Sequence, residues 1–203
     1  MTREDIDGHK LIFLIHDFLT AQECDEFISL SEEGGYDAAP LTTAAGPVMN
    51  KDVRNNARYM VDESFFAAVL WCRAQPFIPP ELEGWKAIGL NERFRFYRYD
   101  PGQRFDVHMD GYFRRDNGEQ SQLTFMVYLN DGFEGGATTF YDREGSRPKS
   151  NVEPRTGMAL VFEHQQWHEG APVVDGRKYV LRTDVMYEPG ETVVRAWRPR
   201  IVR

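Results

Sequence analysis

Residues 93–110 read RFRFYRYDPGQRFDVHMD and give the clearest strand signal in this chain. Arginines and phenylalanines alternate from Arg93 to Phe96, and Tyr97-Arg98-Tyr99 follows. A Pro101-Gly102 turn separates this run from a second extended segment, Phe105–Asp110. Alternation with a period of two is typical of a β-strand, whose successive side chains point to opposite faces. The segment therefore predicts two consecutive short strands joined by a tight turn.

Short apolar or alternating segments, separated by Gly, Asp and Asn, continue through the C-terminal half of the chain. Many short strands with turn residues between them are typical of a β-sandwich or a jelly roll. The further predicted strands are Gln122–Asn130, Ala137–Tyr141, Met158–Phe162, Lys178–Tyr187 and Thr192–Trp197.

The residues before Arg93 have a different pattern, which is typical of helices. After a short strand-like run, Leu11–Ile15, a capping box of Thr20 and Glu23 predicts the start of one helix. A second helix is predicted over residues 63–75. Between the two helices, the polar stretch 36–56 is interrupted by Gly and Pro and is interpreted as a long loop that serves as a lid or substrate loop.

The length of 203 residues suits one domain with a sizeable core. Helices followed by strands predict a mostly β domain, with the N-terminal helices packed on one sheet. Within this single domain, 1–203, we expect residues 1–92 to form a helical scaffold with the lid loop. Residues 93–199 are expected to form the β core.

The charge balance argues against nucleic acid as a partner. Lys and Arg total 24 and Asp and Glu total 32, so the net charge is −8, and no cluster of cations is broad enough to pair with phosphates. No apolar run is long enough for a signal peptide or a membrane span. The two cysteines, Cys24 and Cys72, lack the spacing of a zinc or redox motif. These features predict a cytoplasmic protein without a membrane partner, and they leave its oligomeric state open.

Three residues with metal-binding side chains stand out among the predicted strands. His108 and Asp110 lie two apart in one strand and so share a face, and His168 follows another apolar strand. Two histidines and one carboxylate are the ligand set of non-haem Fe(II) oxygenases. His164 is a competing ligand. The alternative is a surface His-x-Asp pair, with His168 packed against the neighbouring Trp167.

Several motifs follow one another along the chain. They are Arg93–Tyr99, Pro101-Gly102, His108 with Asp110, Thr124–Asn130, Gly135–Phe140, and His168–Pro172 followed by Lys178. In this order they resemble the prolyl 4-hydroxylase-like branch of the 2-oxoglutarate/Fe(II)-dependent dioxygenases. The resemblance covers nearly the whole chain and is most specific from Arg93 to Tyr187.

The resemblance implies a double-stranded β-helix, which is a jelly roll, with His108, Asp110 and His168 as the iron ligands. It implies Fe(II), 2-oxoglutarate and O2 as cofactors, with ascorbate as a reductant. It also implies an oxidoreductase that hydroxylates an unactivated carbon while 2-oxoglutarate is converted to succinate and CO2.

The same resemblance implies hydroxyl groups in the pocket for 2-oxoglutarate. Tyr99 precedes the Pro-Gly turn, Tyr128 lies in the Tyr-Leu-Asn strand, and Thr138 lies in the Gly-Gly-x-Thr segment, and each matches a pocket position of the family. Tyr97 shares a strand face with Tyr99. Either tyrosine could therefore point into the pocket while the other packs.

The distal carboxylate of 2-oxoglutarate needs a fixed cation if it is to be buried. Lys178 matches the lysine that prolyl hydroxylases place shortly after the second histidine. Arg182 lies on the same strand face and is the competing cation, because other branches of the superfamily use a later arginine.

We expect the substrate to be a prolyl residue of a protein or peptide, as the family suggests. The alternative with the same cofactors is a free amino acid or another small molecule. A third hypothesis, of another class, is a non-catalytic metal-binding β-helix module. The complete set of His108, Asp110 and His168, together with Tyr128 and Lys178, favours an enzyme.

Overall fold

The computed structural model describes residues 1–6, 8–43 and 46–190. This part of the chain contains two helices, α1 (Ala21–Gly34) and α2 (Ser64–Ala74). Its strands, in chain order, are β1 (Thr2–Ile6), β2 (His9–His16), β3 (Asp37–Ala38), β4 (Leu41–Thr43), β5 (Gly46–Val48), β6 (Ala57–Asp62), β7 (Glu81–Leu82), β8 (Trp85–Leu90), β9 (Arg93–Tyr99), β10 (Phe105–His108), β11 (Gln120–Tyr128), β12 (Glu134–Gly135), β13 (Thr138–Tyr141), β14 (Pro148–Val152), β15 (Ala159–Glu163), β16 (His168–Gly170), β17 (Val173–Asp175) and β18 (Lys178–Pro189).

Two antiparallel sheets form the frame of the molecule. The larger sheet has the order β1-β2-β15-β11-β18-β9-β6-β3, with β8 paired to β18 and β7 paired to β8. The smaller sheet has the order β10-β16-β13-β14. From β9 onwards the chain passes back and forth between the two sheets, which is the connectivity of a jelly roll. The predicted mostly β jelly roll is confirmed.

The larger sheet is covered on both faces, because alternating side chains of its strands divide between two cores. One core lies between this sheet and the helices, where Phe94 and Phe96 of β9 pack with Phe27 of α1 and Phe66 of α2. The other core lies between the two sheets and includes Tyr97 of the same strand β9. The helices therefore pack on one sheet, as predicted, and the opposite face of that sheet is available for a site.

Both helices lie close to where the sequence placed them. The capping box of α1 is present, since the N–H of Glu23 donates to Oγ1 of Thr20 at 3.2 Å and the N–H of Thr20 donates to Oε2 of Glu23 at 2.9 Å. The side chain of Glu63 caps α2 by accepting from the N–H of Phe65. Within the described ranges, no helix is both long and apolar enough to cross a membrane.

The first 92 residues contribute strands as well as helices. The apolar run at Leu11–Ile15 is the centre of a longer strand, β2, which pairs with β1. The stretch 36–56, predicted as a loop, contains β3 and the small hairpin of β4 and β5. Strand β1 (TREDI) lies at the edge of the sheet, where charged side chains are tolerated, so its composition does not indicate a strand. The predicted strand Thr192–Trp197 lies outside the described residues.

Gly157, in the turn before β15, is required by its surroundings. Its φ is +77°, and a Cβ at this position would overlap the carbonyl oxygen of Leu19. The N–H of Leu19 also donates to the carbonyl oxygen of Gly157 at 3.0 Å, so the two backbones are held together. We expect Gly157→Ala to lower the free energy of unfolding by about 3 kcal/mol, from left-handed backbone strain and steric overlap together.

Chemical denaturation of Gly157→Ala beside Gly102→Ala measures this effect. Gly102 also has a positive φ, +80°, but no atom lies within 4 Å of the position of its Cβ. Its replacement should therefore cost only the backbone strain, about 1 kcal/mol. Equal losses in the two variants would mean that the contact with Leu19 adds nothing.

Candidate metal centre

Three candidate ligands meet where β10 and β16 lie side by side. His108 ends β10, His168 begins β16, and the two histidines are direct partners in the antiparallel pairing of these strands. Nε2 of His108 lies 3.7 Å from Oδ1 of Asp110, and Nε2 of His168 lies 3.7 Å from Oδ2 of Asp110. The three ligand atoms all lie within 4.8 Å of one another. The structure thus brings together the three residues that the sequence selected.

Both imidazole rings are held by backbone carbonyl groups. Nδ1 of His108 lies 2.7 Å from the carbonyl oxygen of Asp106, and Nδ1 of His168 lies 2.9 Å from that of Gln166. A carbonyl oxygen only accepts, so each Nδ1 carries the hydrogen and each Nε2 presents a lone pair. Burial lowers the pKa of His168, and burial together with the neighbouring His168 lowers the pKa of His108 to about 3. Both rings are therefore neutral, which is the form that binds a metal ion.

Asp110 supplies the negative charge of the group. Burial by itself would raise the pKa of this carboxyl, but the Arg182 guanidinium and the two imidazoles hold the pKa well below its usual range. Oδ1 of Asp110 lies 2.9 Å from Nη1 of Arg182, and the hydroxyl of Thr124 donates to Oδ2 at 2.6 Å. An ionised carboxylate beside two neutral imidazoles is a donor set that fits Fe(II).

The strand that carries His108 ends earlier than predicted. Strand β10 stops at His108, so the expectation that Asp110 lies in the same strand is wrong. The N–H of Asp110 instead donates to the carbonyl oxygen of His164 at 2.9 Å. His164, the competing ligand of the sequence analysis, has its ring nitrogens 2.8 Å from the hydroxyl of Ser121 and 3.0 Å from that of Thr124.

A cavity between the two sheets opens beside the three candidate ligands. It is lined by Tyr97, Tyr99, Phe105, His108, Asp110, Thr124, Met126, Thr138, Phe162, His168, Glu169, Gly170, Lys178, Val180 and Arg182. Both Tyr97 and Tyr99 are in this set, so neither tyrosine is turned away from the cavity. Tyr128 is fully buried beside it, and its hydroxyl donates to Oγ1 of Thr138 at 2.7 Å.

Lys178 is a buried cation that forms no ion pair within the described part of the chain. It is 2% exposed and lies opposite Tyr99 in the pairing of β18 with β9. Its Nζ donates to the carbonyl oxygen of Gly136 and lies 5.3 Å and 5.4 Å from the ring centres of Tyr99 and Tyr128. Burial lowers the pKa of Lys178 to about 7, although Glu153 favours the charged form. A buried cation of this kind suits an anionic ligand.

Arg182 lies four residues further along β18, and its charge is already paired. Its Nη1 contacts Asp110, and its Nη2 lies 3.3 Å from Oδ1 of Asp184. Asp184 is shared with Arg95, whose Nη1 lies 3.1 Å from Oδ2. The two competing cations of the sequence analysis are therefore in different positions: Arg182 is at the candidate ligands, and Lys178 is at the tyrosines.

The sequence analysis did not identify the side chains that support the ligands. Thr124 could have been found, because the period of two places it on the same strand face as Tyr128. Two other supporting side chains could not have been found. The Phe105 ring stacks on that of His108 with 3.5 Å between ring centres, and Cζ of Arg54 lies 4.4 Å from the centre of the Phe105 ring. The contact of Arg54 joins distant parts of the chain, and no local pattern indicates it.

Comparison with known proteins connects this geometry to a family. The family model described as 2OG-Fe(II) oxygenase superfamily matches residues 94–183. The chain is 26% identical to "Probable prolyl 4-hydroxylase 8" of Arabidopsis thaliana, over 87% of this chain and 68% of that protein. It is 27% identical to "Prolyl 4-hydroxylase 2" of the same plant, over 87% of this chain and 67% of that protein. The chain thus spans about two thirds of the length of these relatives.

Solved structures with a similar fold include several prolyl hydroxylases. A viral collagen prolyl hydroxylase from Paramecium Bursaria Chlorella virus-1 matches with a TM-score of 0.61 and 22% identity, over 89% of this chain and 97% of that one. A prolyl-4-hydroxylase from Pseudomonas putida matches with a TM-score of 0.64 and 20% identity, over 85% and 90%. A prolyl hydroxylase from Trichoplax adhaerens matches with a TM-score of 0.65 and 17% identity, over 88% and 84%. These likenesses agree with the jelly roll described above.

Proposed function

We propose that the chain is an enzyme of the 2-oxoglutarate/Fe(II) oxygenase superfamily, whose family model matches residues 94–183, and that it hydroxylates a prolyl residue of a protein or peptide. The observation that carries the proposal is the position of Lys178, which lines the same cavity as His108, Asp110 and His168. A metal site alone would suit many functions. Here the metal site shares its cavity with a buried cation that has no ion pair among the described residues. This arrangement suits a co-substrate that binds the metal at one end and carries an anion at the other.

In this proposal His108, Asp110 and His168 hold Fe(II). When bound, Fe(II) supplies the oxidising chemistry by which one atom of O2 enters a substrate C–H bond and the other enters succinate, as 2-oxoglutarate loses CO2. The chain keeps both imidazoles in the neutral tautomer that presents Nε2, and it keeps the carboxylate ionised. The match to a family model of oxygenases, together with relatives named as prolyl 4-hydroxylases, favours an enzyme over the non-catalytic module considered above.

Lys178 would hold the distal carboxylate of 2-oxoglutarate, with hydroxyl groups as further donors. Tyr99 and Thr138 line the cavity, and Tyr128 fixes Thr138 through the hydrogen bond between their hydroxyls. We assign this role to Lys178 rather than Arg182 because two carboxylates already pair with the guanidinium. A third carboxylate at Arg182 would have to compete with both of them.

Lys178 should give the binding of 2-oxoglutarate a defined pH dependence. Its pKa is about 7, and a bound carboxylate favours the charged amine and so raises this pKa. Affinity is therefore full below about pH 7 and falls at higher pH, because binding then requires the uptake of a proton. We expect the Kd of 2-oxoglutarate on Mn(II)-loaded protein, measured by calorimetry, to rise about fivefold from pH 7 to pH 8. In Lys178→Arg, whose guanidinium stays charged, the Kd should be constant; a constant Kd in the unaltered protein would contradict the assignment.

The function is tested by incubating the protein with Fe(II), 2-oxoglutarate and O2, with ascorbate as the proposed reductant. Proline-containing peptides should stimulate succinate formation and gain one oxygen atom, which mass spectrometry locates. A pool of free amino acids and small carboxylic acids is the parallel arm. If only a free amino acid or another small molecule gains oxygen, the proposed prolyl substrate is wrong, but the proposed class of reaction stands. Succinate formation that does not depend on Fe(II) would contradict the proposal as a whole.

A further inference from the structure

We propose that His164 is a positioning residue that orients the Asp110 carboxylate through Thr124. The inference rests on the proposed function in one respect, namely that Asp110 binds a metal ion. His164 is 5% exposed, lies directly after β15, and was considered in the sequence analysis only as a ligand. Its ring contacts Thr124, which in turn contacts Asp110, and this position indicates a supporting role rather than that of a ligand.

A directed chain of hydrogen bonds runs through His164 to the carboxylate. The N–H of Phe113 donates to Oγ of Ser121 at 2.8 Å, and this hydroxyl lies 2.8 Å from Nε2 of His164. On the other side of the ring, Nδ1 lies 3.0 Å from Oγ1 of Thr124, whose hydroxyl donates to Oδ2 of Asp110 at 2.6 Å. The carboxylate only accepts, so the Thr124 hydrogen points to Asp110, and Thr124 must accept from Nδ1–H. Nε2 is then the acceptor for the Ser121 hydroxyl, and one neutral tautomer of His164 satisfies every member.

The main chain of His164 is tied to the same ligand. Its carbonyl oxygen accepts the N–H of Asp110 at 2.9 Å, and its own N–H donates to the carbonyl oxygen of Gln122 at 3.3 Å. Asp110 lies beyond the end of β10, so the pairing of that strand does not fix its backbone. His164 therefore holds Asp110 twice, through the backbone directly and through the side chain by way of Thr124.

The hydrogen bond from His164 restricts what Thr124 can do. A threonine hydroxyl rotates freely unless its acceptor sites are occupied. Here the Nδ1–H of His164 occupies one of them at 3.0 Å, and Nη2 of Arg182 makes a longer contact of 3.4 Å with the same oxygen. The hydroxyl hydrogen is thereby directed at Oδ2 of Asp110, while Arg182 contacts Oδ1. With one donor on each oxygen, the carboxylate keeps the orientation in which each oxygen lies 3.7 Å from one histidine Nε2. Groups that orient metal ligands in this way commonly change metal affinity by tenfold or more.

The test compares the Mn(II) affinity of five variants by calorimetry, Asp110→Ala among them, with thermal unfolding of the metal-free proteins alongside. We expect Thr124→Val and His164→Gln each to weaken Mn(II) binding about tenfold, and the double variant to be no weaker than either single one. His164→Asn is expected to retain most of the affinity, because its amide places a donor near the position of Nδ1. His164→Gln and His164→Asn both put an amide in the same buried place, so a role in packing alone would affect them alike.

The outcomes separate this inference from the proposed function. Mn(II) affinity that is unchanged in Thr124→Val and His164→Gln, while Asp110→Ala loses it, would overturn the positioning role and leave the metal site intact. Additive losses in the double variant would also overturn it, because two independent supports would then be present. Failure of the unaltered protein to bind Mn(II) or Fe(II) would instead contradict the proposed function. Loss of the visible absorption of bound Co(II) in His164→Gln, with recovery in His164→Asn, would support the positioning role by a second readout.

Discussion

Replacement of Asp110 by alanine is expected to abolish 2-oxoglutarate turnover and to weaken Mn(II) binding by about 100-fold or more. The change removes the charged member of the candidate ligand set. It also leaves the Arg182 guanidinium, which contacts Oδ1 at 2.9 Å, next to the metal position with no carboxylate between them. The lost negative charge and the unshielded positive charge both weaken the binding of a divalent cation. Succinate formation and Mn(II) calorimetry measure the two losses separately.

Asp106→Ala is the matched control, because it removes a carboxylate from β10 two residues before His108. The Asp106 side chain is 41% exposed and pairs with Arg104, and only its backbone carbonyl contacts the His108 ring. Turnover in this variant should stay close to that of the unaltered protein. Thermal unfolding of Asp110→Ala, measured in parallel with that of the near-isosteric Asp110→Asn, checks that the loss is not a failure to fold. Undiminished succinate formation in Asp110→Ala would remove the basis for the assignment of the three ligands.

The proximity of His108, Asp110 and His168 was predictable, but the reason for it was not. The sequence analysis relied on a period of two, whereas the strand ends at His108 and Asp110 is placed by His164, Thr124 and Arg182. The two histidines meet because β10 and β16 pair in one register, and that pairing joins residues 60 positions apart. Pairing registers of this kind depend on the whole fold, so no local pattern contains them.

Strands whose two faces differ in character were predicted best. Strand β9 has its predicted bounds, because phenylalanines alternate with arginines and tyrosines along it, and the predicted start of β18 at Lys178 agrees with the structure. The short strands β1, β3, β4 and β5 were missed because they are polar or interrupted by Gly and Pro. Their pairing with neighbouring strands holds them in place, and a single-sequence pattern does not indicate it.

The choice between Lys178 and Arg182 also could not be predicted from a local sequence pattern, although both residues lie in one strand. The period of two places both cations on one face of β18, so the sequence could not separate them. The distinction depends on what the neighbouring strands and turns bring to each position. At Arg182 they bring two carboxylates, and at Lys178 they bring two tyrosine rings and a carbonyl oxygen.

Replacement of Lys178 by methionine is expected to weaken 2-oxoglutarate binding about 100-fold or more, because a buried charge pair with the distal carboxylate is lost. Mn(II) affinity should stay nearly constant, since Lys178 contacts none of the candidate ligands. Lys86→Met, which removes an exposed lysine from β8, is the control and should leave both affinities unchanged. Calorimetry with Mn(II), and then with 2-oxoglutarate on the Mn(II)-loaded protein, gives the two values.

The stability of the same variant distinguishes a ligand-binding cation from a structural one. A structural buried cation has an anionic partner, and its removal leaves that partner uncompensated. Lys178 forms no ion pair within the described part of the chain, and burial already disfavours its charged form. Methionine has a similar length and needs no hydration, so the metal-free Lys178→Met protein should lose only the hydrogen bond to the carbonyl oxygen of Gly136 and should unfold within a few degrees of the unaltered protein. A large drop in that temperature, or an unchanged affinity for 2-oxoglutarate, would contradict the role of Lys178 and would favour Arg182 as the distal cation.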